Sequence, residues 1–494
     1  MPNELQIMGY SLMKKLNVFF ALLITGFFSP DLKAQPQKPL PRPNIILILA
    51  DDLGYGDVGF NGQKLIKTPN IDRLAKEGIR FNQFYAGTSV CAPSRSSLMS
   101  GHHTGHAYIR GNKSVLPEGQ QPIADTVVTV AEVLKKAGYS TAAYGKWGLG
   151  PVGSSGDPVN QGFDKFYGYN CQALAHRYYP EHLWDNDQKV VLEGNQKLRY
   201  AKEYAPDLIQ KQALEFVDSK DGKQPFFLFL PFILPHAELM VPDDSIFHYY
   251  KGKFEEKPYR GDDYGFKAQE AGYASQDYPR ATFAAMVTRL DIYVGQIMDK
   301  LKEKGLDKNT LVIFTSDNGP HVEGGADPVF FNSGAGLRGV KRDLYEGGIR
   351  EPFVARWPGV IKPGTSSDYI GAFWDILPTF AELARAEAPA NIDGISFTEA
   401  LKGRPTQKKH DYLYWEFHEQ GGRQAVRQDN WKAVRLKAAG NPDGLVELYD
   451  LSKDPGETTN VTPKFPEKAK ELGRIMNRAH VSSVLFPFGS LATN

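Results

Sequence analysis

A cysteine, a proline and an arginine at positions 91, 93 and 95 stand directly before an apolar, helix-like run in Ser89-Val90-Cys91-Ala92-Pro93-Ser94-Arg95-Ser96-Ser97-Leu98-Met99. Proline suits the first turn of a helix, because its missing N–H would go unpaired there anyway. That puts Cys91 at a helix N-terminus, where unpaired backbone N–H groups and the macrodipole favour an anion. Arg95 would sit one turn on, reaching back to the same place. A nucleophile-like side chain, an anion-binding helix end and a fixed cation suit chemistry on a sulfate or phosphate ester. Taken alone, the same residues also describe a buried cysteine ahead of a helix, so the rest of the chain decides.

Two further groups could join this site. Asp51-Asp52 and Asp317-Asn318 offer only oxygen donors, which select Ca²⁺ or Mg²⁺ over Zn²⁺. Neighbouring aspartates repel one another unless a cation or an arginine lies between them. Turn or helix capping is the alternative for either pair alone. Each pair, however, ends a continuous apolar run, residues 44–50 and 310–315, of the kind that forms a strand buried on both faces. A third run, 226–230, leads through Leu234-Pro235 to His236, and a fourth, 139–144, leads to Gly145-Lys146-Trp147. Ligands of open α/β sheets bind beyond the carboxyl ends of the strands. Four strands ending in polar residues therefore predict one shared site.

The elements that must position these residues follow from the intervening pattern. Helix-like segments at 71–78 and 129–138 each end on glycine, and 280–304 carries an apolar face of Met286, Leu290, Val294, Ile297 and Leu301 before Gly305. Alternating strands and helices predict an α/β fold, with a large mixed, mostly parallel sheet covered by helices on both faces. Near Pro389 the pattern changes to short alternating runs at 412–417, 424–427, 431–436 and 445–449. These predict a small C-terminal antiparallel sheet, followed by a helix over 465–478. The expected division is a signal peptide at 1–34, a catalytic domain at 35–388 and a C-terminal subdomain at 389–494. Residues 148–204 and 243–278 show no clear period, and long irregular segments of this kind are read as walls of a substrate pocket.

The chain has 494 residues and a net charge of +1, which argues against a nucleic-acid partner held on a basic surface. Lys14-Lys15 followed by the apolar stretch 18–28 reads as an export signal too short to span a membrane. The mature protein is thus expected to be periplasmic or secreted, with no integral membrane segment. Cys91 and Cys171 are the two cysteines; a bridge between them would remove the nucleophile. His102, His103 and His106 lack an ordered ligand set and read as structural.

Cys91-Ala92-Pro93-Ser94-Arg95, with the preceding Asp51-Asp52 and the following Leu98-Met99-Ser100-Gly101, resembles the sulfatase family. The resemblance covers most of the mature chain and is strongest over 44–150 and 310–359. It implies that a maturation enzyme converts Cys91 to formylglycine, whose hydrated aldehyde is the nucleophile. It also implies that Asp51, Asp52, Asp317 and Asn318 hold Ca²⁺ (Mg²⁺ being less expected), which contacts residue 91 as well. Lys146 and Lys341 would contact the sulfate, and His236 would protonate the leaving oxygen or hold the sulfate. Many members read Gly-Lys-Trp-His-Leu-Gly, whereas this chain has Gly148 at the histidine position. His176 and His321 are candidate replacements, and Arg338 is a further candidate substrate contact. Sulfated carbohydrates or aryl sulfates are the implied substrates. A galactose-type sugar is suggested by a likeness of residues 145–184 to some bacterial glycan sulfatases. A phosphoester or phosphonate hydrolase on the same scaffold, or a sulfated-glycan binding protein without catalysis, are the alternatives.

Overall fold

A computed structural model describes residues 42–116, 118–195, 201–263 and 272–488, and the expected signal peptide lies outside them. The apolar runs become strands as the pattern requires: β1 (Asn44–Ala50), β3 (Ser140–Lys146), β7 (Phe226–Pro231) and β8 (Thr310–Ser316). They join β2 (Ile79–Tyr85), β4 (Lys165–Tyr169), β5 (His182–Asp185), β6 (Gln188–Val191), β9 (Arg350–Arg356) and β10 (Thr365–Ala372) in a ten-stranded sheet. Its order is β10-β2-β9-β8-β1-β7-β3-β4-β5-β6. Pairings of β1 with β7 and β8, and of β3 with β4 and β7, are parallel; β9 and β5 run against the rest.

Successive side chains of a strand face opposite sides, and β1 serves two cores accordingly. Ile46 and Ile48 pack with Leu290 and Val294. Ile45, Leu47 and Leu49 pack with Leu98, Leu134 and Phe380. The helices up to this point are α1 (Pro69–Glu77), α2 (Cys91–Ser100), α3 (Val130–Lys136), α4 (Ala205–Asp218), α5 (Ser245–Tyr250), α6 (Pro279–Glu303), α7 (Glu346–Ile349) and α8 (Ile376–Ala384), of which α2, α3, α6 and α8 supply these partners. Thr129 opens α3 with a capping box to Glu132, so the expected start of that helix holds to the residue.

After the short α9 (Thr398–Leu401), strands β11 (Leu413–Phe417), β12 (Arg423–Gln428), β13 (Trp431–Leu436) and β14 (Val446–Asp450) form the antiparallel sheet, and α10 (Pro466–Ala479) follows. Alternation again sends residues two ways. Tyr414, Val426, Ala433 and Leu448 meet Leu472 and Met476 of α10. Trp415, Ala425, Val434 and Tyr449 meet Tyr85, Val90, Leu344 and Trp374 at the edge of the large sheet. The aperiodic stretch 148–204 is more ordered than its sequence pattern suggests, because β4, β5 and β6 extend the sheet there. Their runs of only four or five residues carry too little alternation to read as strands.

Candidate active site

The carboxyl ends of β1, β3, β7 and β8 deliver Asp51, Lys146, His236 and Asp317 to one place, and the loop after β2 brings the N-terminus of α2 to it. Cys91 is the first residue of α2 and is 2% exposed. The Ala92 N–H, unpaired within the helix, donates to Asn112 Oδ1 at 3.2 Å. The Cys91 Sγ lies 3.3 Å from Asp51 Oδ1. Burial, reinforced by the Asp51 charge, pushes the thiol well above its ordinary range. Buried thiols of this kind are inert as nucleophiles. Cys171 is likewise a free buried thiol, so no bridge occupies position 91.

Cations and carboxylates alternate around Cys91. Lys146 Nζ donates to Asp51 Oδ2 at 2.7 Å. Arg95 donates from Nε and Nη2 to Asp317 Oδ2 at 3.0 and 2.8 Å, and its Nη1 meets the Lys146 carbonyl. Burial opposes the Asp51 charge, but Lys146 above all, with Arg95 and Lys341, holds its carboxyl well below the usual range. Asp317 goes the other way, pushed up to about 7 by burial and by the neighbouring Asp51 charge. Asp52 adopts a left-handed conformation, φ 63°, which aspartate tolerates better than most residues. It accepts from Asn318 Nδ2 at 2.6 Å and from Lys341 Nζ at 2.9 Å.

These residues fit a hard divalent cation. Asp51, Asp52, Asp317 and Asn318 offer only oxygens, and Asn318 Oδ1 is buried with no hydrogen-bond partner. Ligand atoms of Asp51, Asp52, Cys91 and His236 lie within 4.8 Å of one another.

His236 and Lys341 form the opposite wall. Lys341 Nζ lies 2.9 Å from His236 Nε2 and 3.1 Å from Glu323 Oε2. Because His236 Nδ1 meets the Ala237 carbonyl, its Nε2 is the acceptor facing Lys341. Burial, then the Lys341 charge, keeps the His236 ring neutral, while Asp52 and Glu323 overcome burial to keep Lys341 protonated. His176 stacks on His236, centroids 4.9 Å apart and planes 7° from parallel. His321 is committed elsewhere: its Nε2 contacts the Pro235 carbonyl at 3.1 Å and its Nδ1 accepts from Glu323 N–H at 3.2 Å.

A cavity of 370 Å³ opens over this cluster, lined among others by Cys91, His176, His236, Lys341, Tyr273 and Arg342. Arg338 lies outside that lining; it bonds Tyr449 and the Glu457 carbonyl and stacks on Tyr345. His102, His103 and His106 gather around Asp393, which joins the turn after α2 to residues 392–394. The stretches read as pocket walls, 148–204 and 243–278, do contribute to the lining through Gln172, His176 and Tyr273, whereas Glu323 and Gln120, also on the cavity wall, lie outside them and were not singled out. Glu323 sits in an aperiodic segment that carries no motif, and no spacing rule could have singled it out.

The family model described as Sulfatase matches residues 43–386, and the one described as N-sulphoglucosamine sulphohydrolase, C-terminal, matches residues 339–480. The chain is 33% identical to human arylsulfatase A over 87% of each chain. It is 32% identical to arylsulfatase G of Mus musculus, covering 87% of this chain and 82% of that one. The crystal structure of Ps i-CgsB in complex with k-i-k-neocarrahexaose is similar at 28% identity and a TM-score of 0.74, covering 92% of this chain and 95% of that one. With a buried cysteine at a helix N-terminus, oxygen donors beside it and Lys341 lining the same cavity, the chain belongs to the sulfatase family and is a sulfuric ester hydrolase.

Proposed function

We propose that the protein is an exported, Ca²⁺-dependent sulfatase acting on a sulfated carbohydrate, with Cys91 converted to formylglycine by a maturation enzyme. Residues 35–388 would carry the chemistry and 389–494 would form a supporting subdomain. The observation that carries this reading is the buried thiol of Cys91. Its pKa is pushed upward rather than down, yet it lies among Lys146, Arg95 and Lys341 at the floor of an anion-compatible cavity. A site so well furnished for an anion has no use for an unreactive thiol. Oxidised to the aldehyde and hydrated, the same position would present a hydroxyl to sulfur. Asp51, Asp52, Asp317 and Asn318 would hold Ca²⁺, which neutralises charge on the sulfuryl oxygens.

The chain's own residues divide the remaining work. Lys146 and Lys341 place ammonium groups against the sulfuryl oxygens, where they stabilise developing charge. Arg95 locks Asp317 and the end of β3 in place. The Lys341–His236 pair holds the proton that the leaving alkoxide needs, since Lys341 is charged and in hydrogen-bond contact with His236 Nε2. Carbohydrate is favoured as the leaving group by the cavity's mixture of aromatic, amide and charged walls. The Ps i-CgsB structure, solved with an oligosaccharide, supports the same class, and the likeness of residues 145–184 to glycan sulfatases favours a galactose-type sugar.

The test is the mass of the Cys91 peptide from protein made in its native host, together with sulfate and phosphate release from matched aryl esters. An aldehyde at position 91 and preferential sulfate release are expected. An unmodified thiol in folded native protein, or faster phosphate release, would overturn the reading.

A further inference from the structure

The Gly148 position poses a problem that the structure resolves at a different residue. Beyond the paired part of β3 and β4 the two chains stay in register, with the Trp147 N–H on the Tyr169 carbonyl at 2.8 Å and the Gly148 N–H on the Asn170 carbonyl at 3.0 Å. This extension holds the turn that carries Gln172 directly against Gly148. A Cβ built on Gly148 would lie 2.4 Å from Gln172 Nε2, 3.3 Å from its Cδ and 3.9 Å from Arg95 Cδ. With φ at +74°, Gly148 is also held in a conformation that side-chain-bearing residues avoid. The absence of a side chain at 148 is what admits the carboxamide of Gln172.

That carboxamide is unsatisfied. Gln172 is 8% exposed, and its Nε2 is buried without a hydrogen-bond partner. Leaving a buried amide donor unpaired is costly, and such groups in native proteins call for a reason. Gln172 lines the cavity that also exposes Cys91, His236 and Lys341.

We infer that Gln172 is a further catalytic residue of this site, its carboxamide turning from Gly148 into the cavity to donate a hydrogen bond to a sulfuryl oxygen of the ester bound over Cys91. The inference rests on the sulfatase reading and adds a neutral donor to the charged ones. Lys146 and Lys341 supply charge from buried ion pairs; Gln172 supplies direction, from an N–H whose protonation does not change with pH. His176, one turn farther on, is stacked on His236 and kept neutral by burial and the His236 ring.

The experiment compares wild type, Gln172→Ala and Gln172→Glu on an aryl sulfate with no sugar, so that any loss reports on the sulfuryl group. Binding of inorganic sulfate is measured in parallel as a rise in thermal midpoint, which needs no turnover. Gln172→Ala is expected to lower kcat/KM about 10²-fold, within the range for removal of one transition-state donor, and to shrink the sulfate-induced rise. Its ligand-free midpoint should stay at or above that of wild type, because an unpaired buried group has been removed. Gln172→Glu, which presents acceptors and negative charge, should lose more activity than alanine and bind no sulfate. An alanine variant within threefold of wild type, or a glutamate variant that binds sulfate normally, would overturn the inference. Wild-type protein carrying the aldehyde but neither binding sulfate nor releasing it would instead sink the sulfatase reading itself.

Discussion

The protein buries charge in two places on either side of residues 338–349, and they are finished differently. At the carboxyl edge of the large sheet, Asp51, Asp52 and Asp317 face Lys146, Arg95 and Lys341, and polar atoms remain unpaired: Asn318 Oδ1 and Gln172 Nε2. At the seam with the C-terminal sheet, Lys432 lies between Glu346 and Glu457 at 2.9 and 3.1 Å. Tyr85 donates to Glu346 at 2.7 Å, and Arg350 lies 3.3 Å from the same carboxylate. The first cluster opens into a 370 Å³ cavity, whose lining includes none of Lys432, Glu346 and Glu457. Both clusters pair their charges, and at the seam Glu457 Oε1 has only the Lys432 charge and no hydrogen bond; what sets the first cluster apart is that its unpaired atoms are amides beside a cavity that can admit a ligand. α7, whose first residue is Glu346, ties the two together, since Lys341 lies five residues before it.

Substitutions should separate the two clusters, and the largest effect belongs to the open one. Cys91→Ala should reduce sulfate release by at least about 10⁴-fold, as for other removed nucleophiles, while the thermal midpoint changes little. Lys146→Ala should be smaller in activity, about 10²–10³-fold, but should also destabilise the fold, because Asp51 is left buried without its closest cation. Differential scanning calorimetry beside the kinetics would show both effects in one variant. Lys432→Met reverses the pattern: a loss of about 3–5 kcal/mol in denaturant titrations, with kcat of the folded fraction within threefold of wild type. A large kcat loss there would mean that the seam is part of the catalytic machinery.

Calcium sharpens the contrast further. Chelation should lower both activity and thermal midpoint, and Ca²⁺ should restore them better than Zn²⁺, since the donors are oxygens. Asn318→Ala should weaken Ca²⁺ binding, measured by isothermal titration. The smallest expected effect is a pH dependence at the seam. Burial raises the Glu346 carboxyl, but Lys432, Arg350 and Arg427 bring it down to about 2, below its ordinary 4.5. Its contribution to stability is therefore complete above pH 4.5 and is lost as pH falls toward 2. Glu457 is pushed up to about 7, burial outweighing Lys432; its contribution is complete below pH 4.5 and fades as pH rises through 7. Acid unfolding of Lys432→Met should show a weaker loss between pH 4.5 and 2 than wild type.

Local chemistry made much of this protein legible from its residues alone. Continuous apolar runs can only be buried strands or helices, so β1, β7 and β8 were readable, as were the carboxylates and histidine that end them. Proline at 93 and the closing glycines likewise placed the start of α2 and the bounds of α3 and α6 to within a residue or two. What the sequence could not determine depends on which distant segments meet. The pairing of β3 with β4 beyond their ends sets Gln172 against Gly148. The loop after β8 brings Glu323 to Lys341, and Arg338 is drawn away to Tyr449 by the packing of the two sheets. No periodicity encodes such contacts, because they arise from register and sheet order, which are settled only when the whole core closes.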